Sequence, residues 1–547
     1  MEKLYGNGRV YLGDEDLWAE AVVTSDNKIT FVGSLEDAIE AFPLAERVDL
    51  NGNYMFPGFI DAHAHVIGGA YFNSGILLDI EMTRDEVFET IAEFIKENPD
   101  KSSYFGLGYP ESEFDGIGPT KEMLDTICSD KPIIIGGSSG HEGFCNSMAL
   151  KLAGINSETE DPVPGFQFFY RYKNGTPTGR FAEAGPYYML MEKIDFFPEE
   201  KVKGWIEEVL GYFSSIGITT IVDCGTLAGM GEDGFPVLFD IAASGELTQR
   251  VICCESVATK EEIDGAVERL KEASNEYKVK DIFEFKTLKI INDGTFESAT
   301  ASLIEPYTHN RAVIEPMLEG DELNKICLEA ASAGFDIHIH GIGDRAIRAV
   351  VGAAKSLREN GYQKTRITNA HTQLVAEEDI HLFGKYNLIA NTTGAWHYGN
   401  NESRELIGDR QDRFFAMRKL INSGAIITLG SDFPADEIGA NPVISMEVAI
   451  KRQSPGKPES DVLQPEDQKL TMKEVVDGYT INAAYAIGME DKLGSIEVGK
   501  YADFTVFNQN PFDTEKYNIH KIAVDMTIMN GNTTFKAEEV ADENGHG

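Results

Sequence analysis

The 547-residue sequence predicts an α/β fold: a (β/α)8 TIM-like barrel, a small β-sandwich built from both chain ends, and a long insertion after the first barrel strand. Three observations predict it. From about Thr219 to Asp432 one rhythm recurs, a short apolar strand, polar residues, then a helical segment. Titratable residues gather where those strands end. The two termini instead read as short strands and turns.

Taken in order, the N-terminal segment offers Gly8–Tyr11 and Lys28–Gly33 as strands. Phe56–His65 is the first barrel strand. Thr219–Val222, Arg250–Cys254, Thr287–Ile291, Phe335–His340, Arg366–His371, Leu388–Asn391 and Ile426–Gly430 bring the count to eight. Roughly 150 residues separate the first two, far beyond an ordinary crossover. That insertion, about 67–200, carries its own apolar strand, Pro132–Gly136, then Ser139-Gly140-His141-Glu142-Gly143 and a Gly/Pro-containing segment around Asp161–Gly179. It is expected to fold over the barrel mouth and shape a substrate pocket. Near the C-terminus Gly494–Lys500 and Ala502–Phe507 read as strands, followed by a polar tail after Glu538. Residues 1–54 and 493–547 thus make a composite sandwich domain, and 55–492 the barrel.

Composition narrows the function. Hydrophobic content of 42% and aromatic content of 10% suit a globular chain. No run approaches the ~18 apolar residues of a transmembrane helix. The start, Met1 to Gly8, lacks a basic stretch followed by an apolar one, so no signal peptide is visible and a cytoplasmic location is expected. A net charge of −42 argues against nucleic acid, whose phosphates need basic patches. With 31 lysines against 17 arginines, the acidity reads as a solubility device rather than strong salt adaptation. The six cysteines form no C-x-x-C pair and read as buried free thiols.

The chemistry starts at His63 and His65. Side chains at i and i+2 of a strand leave the same face, so both imidazoles point together and make half of a transition-metal site. Lys289 sits on the apolar strand Thr287–Ile291. A buried ammonium is costly unless paired, here with Asp293 or Asp432, or neutralised. Carbamylation would turn it into a carboxylate able to bridge two cations. His338 and His340 share a strand face, and the residues alone leave open which one binds. His371 ends a strand, and Asp432 follows one in Gly430-Ser431-Asp432. Each alone reads equally as a hydrogen-bonded core residue; together, at successive strand ends, they read as a site. His141 is either a substrate contact or a structural hydrogen bond. Trp396 and His397 follow the seventh strand, where an aromatic wall for substrate and packing under the loop compete. His309, His381, His520 and His546 lack such context and read as surface residues.

The order His-x-His, Lys, His, His, Asp on eight strands resembles the amidohydrolase superfamily. The closer resemblance is to its amidohydrolase-3 branch, the YtcJ-like and N-substituted formamide deformylase-like proteins. It is carried by Pro57-Gly58-Phe59-Ile60-Asp61-Ala62-His63-Ala64-His65, His340-Gly341-Ile342-Gly343-Asp344-Arg345-Ala346 and Gly430-Ser431-Asp432-Phe433-Pro434. Asn146–Leu150, Tyr479–Ala486 and Gly494–Asp503 extend it over nearly the whole chain. The resemblance implies one or two divalent cations, zinc first, with manganese, iron and nickel also suited. It implies His63 and His65 as ligands of the more buried cation, His340 and His371 of the second, and Lys289 as carbamylated bridge. Glu183 is the alternative bridge. The family phrase begins at His340, which selects it over His338.

Asp432 is implied to bind metal and move the proton, with His371 helping to polarise the scissile carbonyl. His141 and Trp396 stand as substrate contacts. The reaction implied is hydrolysis of a C–N, amide-type bond in a small molecule by a metal-activated hydroxide. Deamination or ester hydrolysis by the same site is one alternative, and a non-catalytic metal-binding or sensory protein another. A retained Asp432 speaks against the last. Neither a membrane nor nucleic acid is expected as partner; a homodimer is.

Overall fold

The computed structural model describes all residues except 115, 195–198, 226–233, 399–400, 436–437 and 539–547, so the tail after Glu538 and His546 lie outside the described residues. Eight parallel strands follow one another in chain order: β1 (Phe59–Ala64), β2 (Ile218–Asp223), β3 (Arg250–Val257), β4 (Phe283–Ile291), β5 (Asp336–Gly341), β6 (Ile367–His371), β7 (Leu388–Thr392) and β8 (Ile427–Leu429). Each pairs with its sequential neighbour from β1 to β8. All six residues of β2 are buried, as a strand covered on both faces requires. Outer helices follow the 3.6 period: Asp344–Glu359 buries Ile347, Val350, Val351, Ala354 and Leu357.

The ring closes beyond the short β8. The Asp432 N–H donates to the His63 carbonyl at 2.7 Å, and the His65 N–H to the Phe433 carbonyl at 2.9 Å. Gly430 permits that approach, since a Cβ there would lie 2.6 Å from the His63 nitrogen. Closure therefore sets Asp432 directly against His63 and His65.

Two expected strands are corrected. Phe56–His65 divides at Gly58: Tyr54–Pro57 joins a terminal sheet, Phe59–Ala64 enters the barrel, and His65 lies just past it. A Cβ at Gly58 would fall 2.2 Å from Thr219 Oγ1, and its N–H donates to the Asp503 carbonyl. Gly494–Lys500 is a run of turns rather than a strand. Gly494 and Gly499 take φ of 83° and 94°, while the Lys500 ammonium holds the Glu490 and Leu493 carbonyls inward.

Two sheets form at the chain ends. One has four strands in the order Lys28–Gly33, Ala21–Ser25, Glu2–Gly6, Glu46–Asp49. The other runs Asn532–Lys536, Val524–Met529, Phe504–Phe507, Tyr54–Pro57, Arg9–Asp14, Leu17–Ala19. Tyr5, Val22, Ile29, Met55, Phe504 and Ile528 pack into a core between them. The insertion builds a third sheet, ordered Phe168–Arg171, Pro177–Ala182, Glu142–Cys145, Ile133–Gly137, Tyr104–Tyr109, Ile76–Leu77. Its helix Arg84–Glu97 starts on a Thr83/Glu86 capping box and buries Val87 and Ile91 against that sheet's own core. No helix among the described residues is long and apolar enough to cross a membrane.

Candidate metal centre

At the C-terminal ends of the barrel strands opens a cleft of about 800 Å³. His63, His65, Lys289, His340, His371 and Asp432 line it from the barrel; Ser139, His141, Gln167, Glu183 and Tyr187 line it from the insertion. The fold thus brings together all six residues expected to hold metal.

Asp432 Oδ1 lies 3.2 Å from His63 Nε2 and 3.4 Å from His65 Nε2, and the donor atoms of the three sit within 4.8 Å of one another. His65 Nδ1 donates to the Gly225 carbonyl at 2.7 Å, and His340 Nδ1 to Asp293 Oδ1 at 3.0 Å. Each bond fixes the tautomer and turns the Nε2 lone pair towards the cleft. His340 Nε2 and His371 Nδ1 are buried with no hydrogen-bond partner among the described residues. Unpaired imidazole nitrogens beside three clustered donors are what a transition-metal site requires. The donor set fits one or two divalent cations.

Electrostatics agree with that fit. Burial drives the His340 imidazolium down and the His371 imidazolium well below its usual range, leaving both neutral as metal binding requires. Burial pushes the Asp432 carboxyl up, but the surrounding imidazoles of His371 and His63 and hydrogen bonds from His63 and His65 hold it well below the usual range. Burial also works against a charged His63, yet Cys224 and Asp432 raise it to about 9. The same negative field would favour a cation.

Backbone strain collects here. His371, Thr372, Asp432 and Glu183 take φ of 66°, 43°, 58° and 68°, a region that side chains with a Cβ rarely occupy.

Lys289 Nζ lies 3.2 Å from His63 Nε2. Neither Asp293 nor Asp432 pairs with it: Asp293 accepts from His340, Ser302, Ile342 and Gly343 instead. Glu183 lines the same cleft, and its oxygens accept from His141 Nδ1 at 2.7 Å and Thr300 Oγ1 at 2.5 Å. The two strand-five histidines separate. His340 lines the cleft, while His338 Nε2 faces His63 Nδ1 at 3.1 Å.

Trp396 is absent from the cleft lining. Its ring stacks on His371, centroids 5.7 Å apart and planes within 11°, and so supports that imidazole. His397 is buried behind it, bonded to Thr392 Oγ1 at 2.8 Å. His309 and His381 are exposed as expected, but His520 is half-buried and pairs with the buried Glu447 at 2.7 Å. Two buried acids escaped the sequence reading, and a third, Asp293, entered it only as a partner for Lys289. Asp61, Asp223 and Asp293 each end or interrupt an apolar run, and all are fully buried. Asp61 holds the His63 and Ser431 amides at 3.1 and 3.0 Å. Asp223 holds the Val66 and Gly225 amides at 3.1 and 2.9 Å. Burial pushes both carboxyls up to about 6 despite those bonds. An acid inside an otherwise apolar strand was the available signal.

His141 is the insertion's charged group. Burial pulls its imidazolium down, but the charge and hydrogen bond of Glu183 outweigh this and raise it to about 9. A raised histidine stabilises the fold fully below its unfolded value near ~6.5, and that contribution fades as pH rises through about 9. Proton NMR of the His141 ring is expected to titrate near 9, and in Glu183→Gln to fall by more than one unit. An unchanged midpoint would show that Glu183 does not control the imidazole.

Comparison with known proteins was consistent with this geometry. The profile of the amidohydrolase family matches residues 46–535. The exoenzymes regulatory protein AepA of Pectobacterium carotovorum is 28% identical over 78% of this chain and 92% of its own. The N-substituted formamide deformylase of Arthrobacter pascens is 26% identical over 94% of both chains. Among solved structures, an uncharacterized metal-dependent hydrolase of Pyrococcus horikoshii superposes with a TM-score of 0.74 at 20% identity, covering 94% of this chain and 99% of that one. The last likeness is one of fold.

Proposed function

The chain belongs to the amidohydrolase family, and from that premise we propose that it is a metal-dependent hydrolase cleaving a C–N, amide-type bond of a small molecule. The observation that carries the proposal is the convergence of His63, His65 and Asp432 with the unpaired His340 Nε2 and His371 Nδ1 in one cleft. Likeness to a deformylase of N-substituted formamides supports the bond type. Against a non-catalytic reading stands Asp432, present and held against two imidazoles.

His63, His65, His340, His371 and Asp432 would hold the cation or cations, zinc first. When bound, such a cation supplies a water acidified towards ~7 and a Lewis acid for the scissile carbonyl. The protein supplies the rest. Asp432, ionised across the neutral range, accepts the proton of the attacking water at a carboxylate oxygen and returns it to the departing nitrogen. Trp396 steadies the His371 ring. His141, kept protonated by Glu183, donates to the substrate oxygen as charge develops there. Lys289 has no ion pair among the described residues and lies 3.2 Å from His63 Nε2, so addition of carbon dioxide to its nitrogen, with the ammonium losing two protons in all, would replace a buried cation by an anion.

Metal per chain, measured by elemental analysis on protein purified without chelator or a metal-binding tag, is expected at about two equivalents, with Lys289 carrying one added carboxyl by native mass spectrometry. About one equivalent would retain hydrolysis and remove the bridge. None, even after reconstitution with zinc or manganese and bicarbonate, would overturn the proposal.

A further inference from the structure

We propose that His338 is the positioning residue for His63: it accepts the His63 Nδ1–H and so keeps the His63 Nε2 lone pair turned to the cation site. The proposal rests on the metal-site reading above and adds a residue outside the donor set.

Two of the cleft imidazoles are oriented by oxygen, His65 by the Gly225 carbonyl and His340 by Asp293. Behind His63 stands another imidazole. His63 Nδ1 and His338 Nε2 are 3.1 Å apart, with ring centroids at 4.9 Å and planes at 75°. Two nitrogens at that distance share one hydrogen. On its other side His63 Nε2 faces Asp432 Oδ1 and Lys289 Nζ, each at 3.2 Å. A lone pair at Nε2 demands that the ring proton sit on Nδ1, so His338 Nε2 must be bare and its own proton on Nδ1.

An imidazole differs from a carbonyl in one respect: the opposite tautomer would donate to His63 Nδ1, move the proton to Nε2 and remove the ligand. His338 is packed in the barrel interior, where the buried thiol sulfur of Cys224 lies within 4.8 Å of it and of His63. His338 is absent from the substrate cleft and borders a separate small cavity with Thr287, Asp336 and Thr368. Substrate contact therefore does not account for it.

The test is zinc binding by chelator-stripped protein, measured by calorimetry, with the visible spectrum of the cobalt(II) form as a second readout. His338→Leu removes the acceptor at similar volume and is expected to weaken the affinity by ~10–100-fold and alter the cobalt spectrum. His338→Gln places an acceptor oxygen where Nε2 was and is expected to restore both. Thermal unfolding of the metal-free variants separates this from packing. Wild-type affinity in His338→Leu would overturn the proposal, as would equal weakening in His338→Gln. If His338→Leu does not fold, His338→Gln decides alone: wild-type affinity and spectrum support the proposal, and loss of either overturns it. Absence of zinc binding by the wild-type protein would instead overturn the metal-site reading, and the role of His338 with it.

Discussion

Asp432→Asn is expected to lower kcat by ~10²–10⁴-fold, the usual worth of a positioned acid–base group. Asparagine keeps an oxygen where Oδ1 now meets His63 and His65 at 3.2 and 3.4 Å, so its shape and much of its ligand capacity survive. What it lacks is a place for the proton. Against the cost of burial, the surrounding imidazoles and the hydrogen bonds from His63 and His65 hold the carboxyl ionised, which is the state in which a base must enter the cycle. Turnover of an amide that the wild-type protein cleaves, measured beside zinc content, checks the expectation. A variant that binds zinc normally and turns over within tenfold of wild type would remove Asp432 from proton transfer. Equal loss of zinc and activity would assign it to metal binding alone.

The largest expected effect on stability lies at the junction of barrel and terminal sheet. Asp503→Ala is expected to cost ~3–5 kcal/mol, because it strands a buried guanidinium. Arg250 is fully buried; its Nε and an Nη bond the Asp503 carboxylate at 2.8 and 3.1 Å. The ring of Tyr501 lies 4.2 Å from its guanidinium carbon. Asp503 also accepts the Asn530 amide at 2.7 Å, so one carboxylate ties β3 to two segments of the terminal sheet. Replacing both partners by apolar residues, as in Arg250→Met with Asp503→Leu, is expected to cost less than Asp503→Ala alone. Urea unfolding of the three proteins measures this. An Asp503→Ala transition within about 1 kcal/mol of wild type would show that water reaches Arg250 in the variant.

Some of this molecule could be read without coordinates because its signals are local. Burial on both faces turns barrel strands into apolar runs, and chemistry at their C-terminal ends puts His63, Lys289, His340, His371 and Asp432 at the edges of those runs. What misled was equally local. Phe56–His65 is one apolar run, and nothing in it says that Gly58 must pass Thr219 while its amide serves Asp503. Gly494–Lys500 alternates like a strand, yet two left-handed glycines and an inward lysine make it turns. The surface reading of His520 failed because its partner Glu447 lies 73 residues away.

The sequence alone pointed to the barrel and to titratable residues at its strand ends, since residue type and spacing suffice for those, while the choice of His340 over His338 came only from the family resemblance. Only the tertiary structure decided how those residues are used. It set His340 towards the cleft and His338 behind His63, paired Glu183 with His141, and put Trp396 against His371. The reason is physical. Which nitrogen carries a proton, and which carboxylate holds it there, depends on contacts between strands far apart in the chain, and spacing along one strand holds no record of them.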